Sequence, residues 1–111
     1  IVVTTSGHKF QPELLERRIN AIAQVNCAVV YHCDKHQINV AIVNVTGTPD
    51  AALVRAIRAA VDDINATIPA YQKITRLTVN NDTYSAANQL LTSNLKINRS
   101  RIIEQYPLQD S

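Results

Sequence analysis

"VNCAVVYHCDKHQINVAIVNV", residues 25–45, decides the fold. Two apolar runs flank a polar break, "DKHQ" at 34–37. In the first run Val25, Cys27, Val29, Tyr31 and Cys33 recur at every second position, the period of a strand with one apolar face. In the second, Ile38, Val40 and Ile42 alternate against Asn39. The pair reads as a β-hairpin.

Downstream, "TGTPD" announces a helix. Thr48 is a good cap, Pro49 suits the first helical position, and Asp50 complements the dipole. Leu53, Ile57, Val61, Ile64 and Ile68 keep to one face for about four turns, with Arg55, Arg58 and Asp62 turned away and Pro69 as the stop. "KITRLTV" is a further strand and "NNDTYSAA" a polar turn. "LLTSNLKI" is short, and "RSRIIEQY" closes the chain as an amphipathic turn or two of helix. Upstream, β-branched "IVVTT" reads as a strand, and "SGHKFQP" as a loop with Gly7 as its flexible point. In "PELLERRINAIA" Pro12 opens a helix with Leu15, Ile19 and Ile22 in one stripe. The order is β-α-β-β-α-β, an α+β sheet-and-helix domain ending in a hairpin and short helix.

At 111 residues the chain is one domain with a modest core. Its apolar fraction of 46% and charged fraction of 18% are those of a globular chain. No apolar run reaches the ~20 residues of a membrane span, and a net charge of +2 with scattered basic residues does not argue for nucleic acid. Cys27 and Cys33 would lie roughly 20 Å apart along a strand, too far to bridge. They read as buried thiols in a reducing compartment, hence the cytoplasm. The chain opens on Ile1 and contains no methionine, so it is expected to be a piece of a longer protein.

Chemistry is sparse. "HCDKH" offers His32, Cys33, Asp34 and His36 as metal ligands, but adjacent strand residues face opposite ways, so at most two groups converge. A closed zinc site needs four ligands and a catalytic one three; the stretch reads as a polar hairpin tip, and no metal site is expected. Ser6, Ser85, Ser93, Ser100 and Ser111 lack a nucleophile elbow. With only Gly7 and Gly47 the chain cannot build a glycine-rich phosphate cradle. Asp62 and Asp63 diverge on their helix. From these residues alone the chain is an α+β module without a self-contained active site.

Three segments add a resemblance. "IVVTTSGHKFQPELLE" resembles the start of the C-terminal subdomain of adenylate-forming acyl-CoA synthetases, and "VDDINATIPAYQKITRLTV" resembles their helix, Pro-x-Tyr turn and strand. "YSAANQLLTSNLKINRSRIIEQY" is similar to the long-chain type of ending, with Leu90, Leu91, Thr92, Leu95, Lys96, Arg99, Glu104 and Tyr106 at the expected spacing. Two departures stand out. Gln89 replaces the usual glycine, at a position where Gln tolerates positive φ poorly, and Ser93-Asn94 replaces Pro-Thr.

The resemblance implies that residues 1–111 are the mobile lid of an AMP-forming fatty acid–CoA ligase, inactive alone. Its partner would be its own N-terminal adenylation domain, absent here, which binds ATP, the acid and Mg2+. Lys96 would be the catalytic cation of adenylation. Ser6, Gly7 and His8 would line the channel for CoA or an acyl carrier, Arg99 is a candidate phosphate contact, and Glu16 is expected to be structural. The competing expectation is a stand-alone ferredoxin-like or ACT-like module that binds a small molecule.

Overall fold

The structure is a computed structural model that describes residues 2–3, 9–33, 35–94 and 96–106, with backbone alone at 2, 3, 9 and 10. It divides into two compact units, residues 1–81 and 82–111.

The first unit is built on the expected hairpin. Strand β3 (Val25–Cys33) pairs antiparallel with β4 (Ile38–Val45), setting Val30 opposite Ala41 and Tyr31 opposite Val40. Strand β5 (Ile74–Asn80) adds parallel to β4, so the sheet order is β3-β4-β5. A parallel neighbour needs a crossover, and helix α2 (Ala51–Asn65) supplies it. Helix α1 (Pro12–Asn20) precedes β3.

One face of the sheet carries Ala28, Val30, Ala41, Val43 and Val45 into a core with Leu15 and Ile19 of α1 and Ile57, Val61 and Ile64 of α2. Burying one such Ile or Val contributes about 1.5–3 kcal/mol. The sequence's alternating set, Cys27, Val29 and Tyr31, lies on the opposite face. Val25 leaves that set because the register shifts between Val25 and Cys27. The extra residue of a bulge reverses side-chain alternation beyond it, and Val25 packs against the core instead.

Three asparagines tie the sheet together. Asn26 Nδ2 donates to Asn44 Oδ1 at 3.1 Å, and Asn44 Nδ2 donates to Asn80 Oδ1 at 2.7 Å, one amide per strand. Thr46 Oγ1 donates to Asn26 Oδ1 at 2.7 Å. Asn39, which is buried, donates from Nδ2 to the carbonyls of Tyr71 and Lys73, while its Oδ1 meets His32 Nδ1 at 2.8 Å.

Several boundaries differ from the sequence reading. Asp50, not Thr48, caps α2: its Oδ1 accepts from Leu53 N at 2.8 Å, so Pro49 lies before the cap. The helix ends at Asn65 rather than running to Pro69. There the Asn65 side chain replaces helix continuation by pairing with both backbone groups of Ile74, at 2.8 and 2.9 Å. Pro69 also disfavours helical geometry at the residue before it. Helix α1 stops at Asn20, leaving Ile22 packed on the core from outside it. The first strand is two residues, β1 (Val2–Val3), and it pairs with β2 (Lys9–Phe10) outside the main sheet. A ferredoxin-like domain instead places its first strand within its one sheet.

In the second unit, residues 91 and 97 form an antiparallel bridge and helix α3 (Arg99–Gln105) follows. Leu90 and Ile102 are its buried apolar residues. No helix among the described residues is long and apolar enough to cross a membrane.

Candidate functional site

Lys96 lies near the end of a short hairpin. The Leu91–Ile97 bridge forms its base. Above it, Thr92 N–H donates to the Lys96 carbonyl at 2.7 Å and Lys96 N–H donates to Thr92 Oγ1 at 3.2 Å. The backbone of Lys96 is therefore pinned from both sides while its side chain is exposed. Among the described residues its ammonium has no ion-pair partner. Leu95, its apolar neighbour, lies outside the described residues.

The stem below is organised by two asparagines. Asn88 Oδ1 accepts from Ser85 N and Leu90 N, and Ser85 Oγ accepts from Asn88 N at 3.3 Å. This reciprocal pairing resembles a capping box, with Asn in place of Glu. Asn88 Nδ2 also donates to the Thr83 carbonyl. Asn98 caps α3 through Oδ1, which accepts from Arg101 N. Its Nδ2 donates to the Gln89 carbonyl at 2.9 Å, and its N–H donates to the Leu90 carbonyl at 3.0 Å.

Between them Gln89 has φ +67°, the left-handed region. The residue that stands where glycine was expected thus adopts a glycine-like backbone. Each L-residue placed there costs about 1–2 kcal/mol. Hydrogen bonds on both sides, Gln89 N–H to the Ala86 carbonyl and Asn98 Nδ2 to the Gln89 carbonyl, hold the conformation.

Beside the stem is an open cleft of about 500 Å³ lined by Asn88, Gln89, Arg101 and Tyr106 among others. Tyr106 donates its hydroxyl to Asp82 and sits 6.4 Å from the Tyr84 ring. Burial first, and then the Asp82 bond, push the Tyr106 phenol well above its ordinary range. Arg101 Nη1 lies 3.5 Å from Glu104, a solvent-exposed pair one helical turn apart.

Arg99 opens α3 three residues after Lys96. Ser6, Gly7 and His8 lie outside the described residues. In the "HCDKH" stretch Asp34 is likewise outside, and His32 bonds to Asn39. Among the described residues no group of three or more His, Cys, Asp or Glu side chains could hold a metal. Glu16 accepts from the backbone of Val30 at 2.7 Å, the structural employment expected of it. Asn88 and Asn98 were missed from sequence. The signal for Asn98 was an Asn directly before a helix start.

The model of the family described as "AMP-binding enzyme C-terminal domain" matches residues 1–109. The chain belongs to that family. No curated protein matches it. Among solved structures, this chain is similar to the A-PCP didomain of carboxylic acid reductase from Segniliparus rugosus, solved with AMP. That match has 17% identity and a TM-score of 0.77, and covers 95% of this chain and 16% of the other. It is also similar to the adenylation domain of the carboxylate reductase from Mycobacterium chelonae, at 20% identity and TM-score 0.76, covering 95% and 18%. O-succinylbenzoate coenzyme A synthetase from Bacillus subtilis matches at 11% identity and TM-score 0.62, covering 96% and 20%. At these identities the likeness shows the fold alone. The chain spans at most a fifth of the length of these proteins.

Proposed function

We propose that this C-terminal domain is the mobile lid of an AMP-forming carboxylic acid ligase, with Lys96 as the cation that the lid delivers. The placement of Lys96 carries this reading: an exposed ammonium on a backbone pinned at both its N–H and its carbonyl, engaged by no described residue. An amine held in an internal ion pair could not serve a second domain.

In the adenylation step a carboxylate oxygen of the acid attacks the α-phosphorus of ATP. The bond from that phosphorus to the pyrophosphate oxygen breaks, giving acyl-adenylate and pyrophosphate. Charge is redistributed over oxygens shared by carboxylate and phosphate, and a positioned ammonium in a water-poor cleft stabilises it. Lysine suits the task as a compact point charge on a long stem. Arg99, three residues further on at the start of α3, would add a phosphate contact.

In the transfer step the thiolate of CoA attacks the acyl carbon and AMP leaves. Ser6, Gly7 and His8 would then line the acceptor's channel, Gly7 leaving room for close approach to the backbone. ATP and CoA are substrates, and Mg2+ would accompany ATP in the domain that precedes this chain. The substrate class proposed is a long-chain fatty acid. The likeness to an A-PCP didomain supports a second reading, in which the acceptor is a carrier-borne thiol. Cys27 and Cys33, half-buried rather than buried as the sequence suggested, are free thiols and support a reducing, cytoplasmic location.

Lys96→Ala tests the assignment in the full-length protein. Acid-dependent exchange of pyrophosphate into ATP should fall about 100- to 1,000-fold, with transfer from supplied acyl-adenylate to CoA largely spared. Equal loss of both steps would argue against it.

A further inference from the structure

We infer that Asn98 is a positioning residue for Lys96, an inference that rests on the role proposed for that lysine. Asn98 sits at the seam between the lysine hairpin and α3, and three of its groups are committed there. Oδ1 caps the helix at Arg101 N, the N–H fixes the Leu90 carbonyl, and Nδ2 fixes the Gln89 carbonyl. The last bond holds the carbonyl of the left-handed residue from which the hairpin rises. The direction of the hairpin is thereby locked to the helix axis.

Lys96 is two residues from this seam, so its Cα lies at most about 7 Å from that of Asn98. A small rotation at the seam is therefore carried outward along the hairpin and along the lysine stem. Reacting groups must be held to about 0.5 Å and 10–20°, and a misplacement of about 1 Å can cost about 100-fold in rate. The clamp matters more because Gln89 lacks glycine's indifference to the sign of φ. Without the bond from Nδ2, the residue has less to hold it in the left-handed region.

Two substitutions separate the clamp from the cap. Asn98→Asp and Asn98→Ser each keep a side-chain oxygen for Arg101 N and remove the donor to Gln89. In the full-length protein both should lower kcat for acid-dependent pyrophosphate exchange about 10- to 100-fold. KM for ATP should stay within about twofold, as expected when positioning rather than binding is lost. Transfer from supplied acyl-adenylate to CoA, and the melting midpoint of Asn98→Ser, should stay near those of the unmodified protein. Unchanged exchange in both variants, with Lys96→Ala still inactive, overturns the clamp and leaves the lysine's role intact. Parallel loss of stability and of both steps reduces Asn98 to an ordinary structural residue and also overturns it. If Lys96→Ala itself leaves exchange unchanged, the underlying function and this inference fall together.

Discussion

The carboxylate of Glu16, on α1, accepts the backbone N–H of Val30, in the middle of β3, at 2.7 Å. A helix side chain thus completes the hydrogen bonding of a strand and fixes how α1 lies against the sheet. Bonds to charged groups contribute about 1.5–3 kcal/mol. Glu16→Ala should lower stability by about that amount in chemical denaturation, while Glu16→Gln, which keeps an acceptor oxygen, should lose less.

The same carboxylate affects Cys27. Burial, and after it the negative charge of Glu16, raise the thiol above its ordinary value. Both disfavour the thiolate, the reactive form. Alkylation of Cys27 by iodoacetamide should therefore climb with pH later than for a model thiol. In Glu16→Gln the profile should move to lower pH; a shift to higher pH, or none, would remove Glu16 as a cause.

Asn39 is the buried polar residue with most to lose. Its amide serves two carbonyls and its oxygen faces His32. Asn39→Ala would leave those partners without this amide, and a buried group left unsatisfied costs about 1–3 kcal/mol. Urea denaturation should show a loss of about 2–3 kcal/mol, larger than for alanine at the exposed Lys73.

Gln89→Gly should stabilise the second unit. Relief of the left-handed cost, about 1–2 kcal/mol, exceeds the entropic cost of glycine, about 0.5–1 kcal/mol. A net gain of up to about 1.5 kcal/mol would appear as a small rise in melting midpoint. A fall would mean that the Gln89 side chain makes a compensating contact.

The 111-residue chain alone should release no AMP from ATP, since its two glycines cannot form a phosphate cradle. An AMP-release assay with the purified chain checks this; turnover would place ATP-binding groups within it.

The hairpin and both long helices were legible because apolar period differs between strand and helix, and because Ile57, Val61 and Ile64 are separated by helical spacing. Which strand face meets the helices was not. Alternation identifies two faces without ranking them, and both are apolar here: Val29, Val40 and Ile42 on one face are as buried as Val30 and Val43 on the other. The bulge at Asn26 and the two-residue pair β1–β2 carry no periodic signal. At α2 the string Thr48-Pro49-Asp50 offers two plausible caps, and only coordinates choose Asp50. Lys96 was singled out through a resemblance in its surroundings, not through any pattern of its own. The cap that Asn98 makes on Arg101 N is local, three residues away, but its bond to the Gln89 carbonyl joins residues nine apart, beyond what local turn chemistry reveals.

Gln89 has a lesson for reading related sequences. A column that exchanges glycine for a long side chain would ordinarily be scored as damage to the turn. Here the neighbours enforce the sign of φ, so the swap alters the local energy and leaves the path of the chain. Tolerance at such a column is therefore set by which amides stand beside it, and those partners should be weighed before a homologue is discarded.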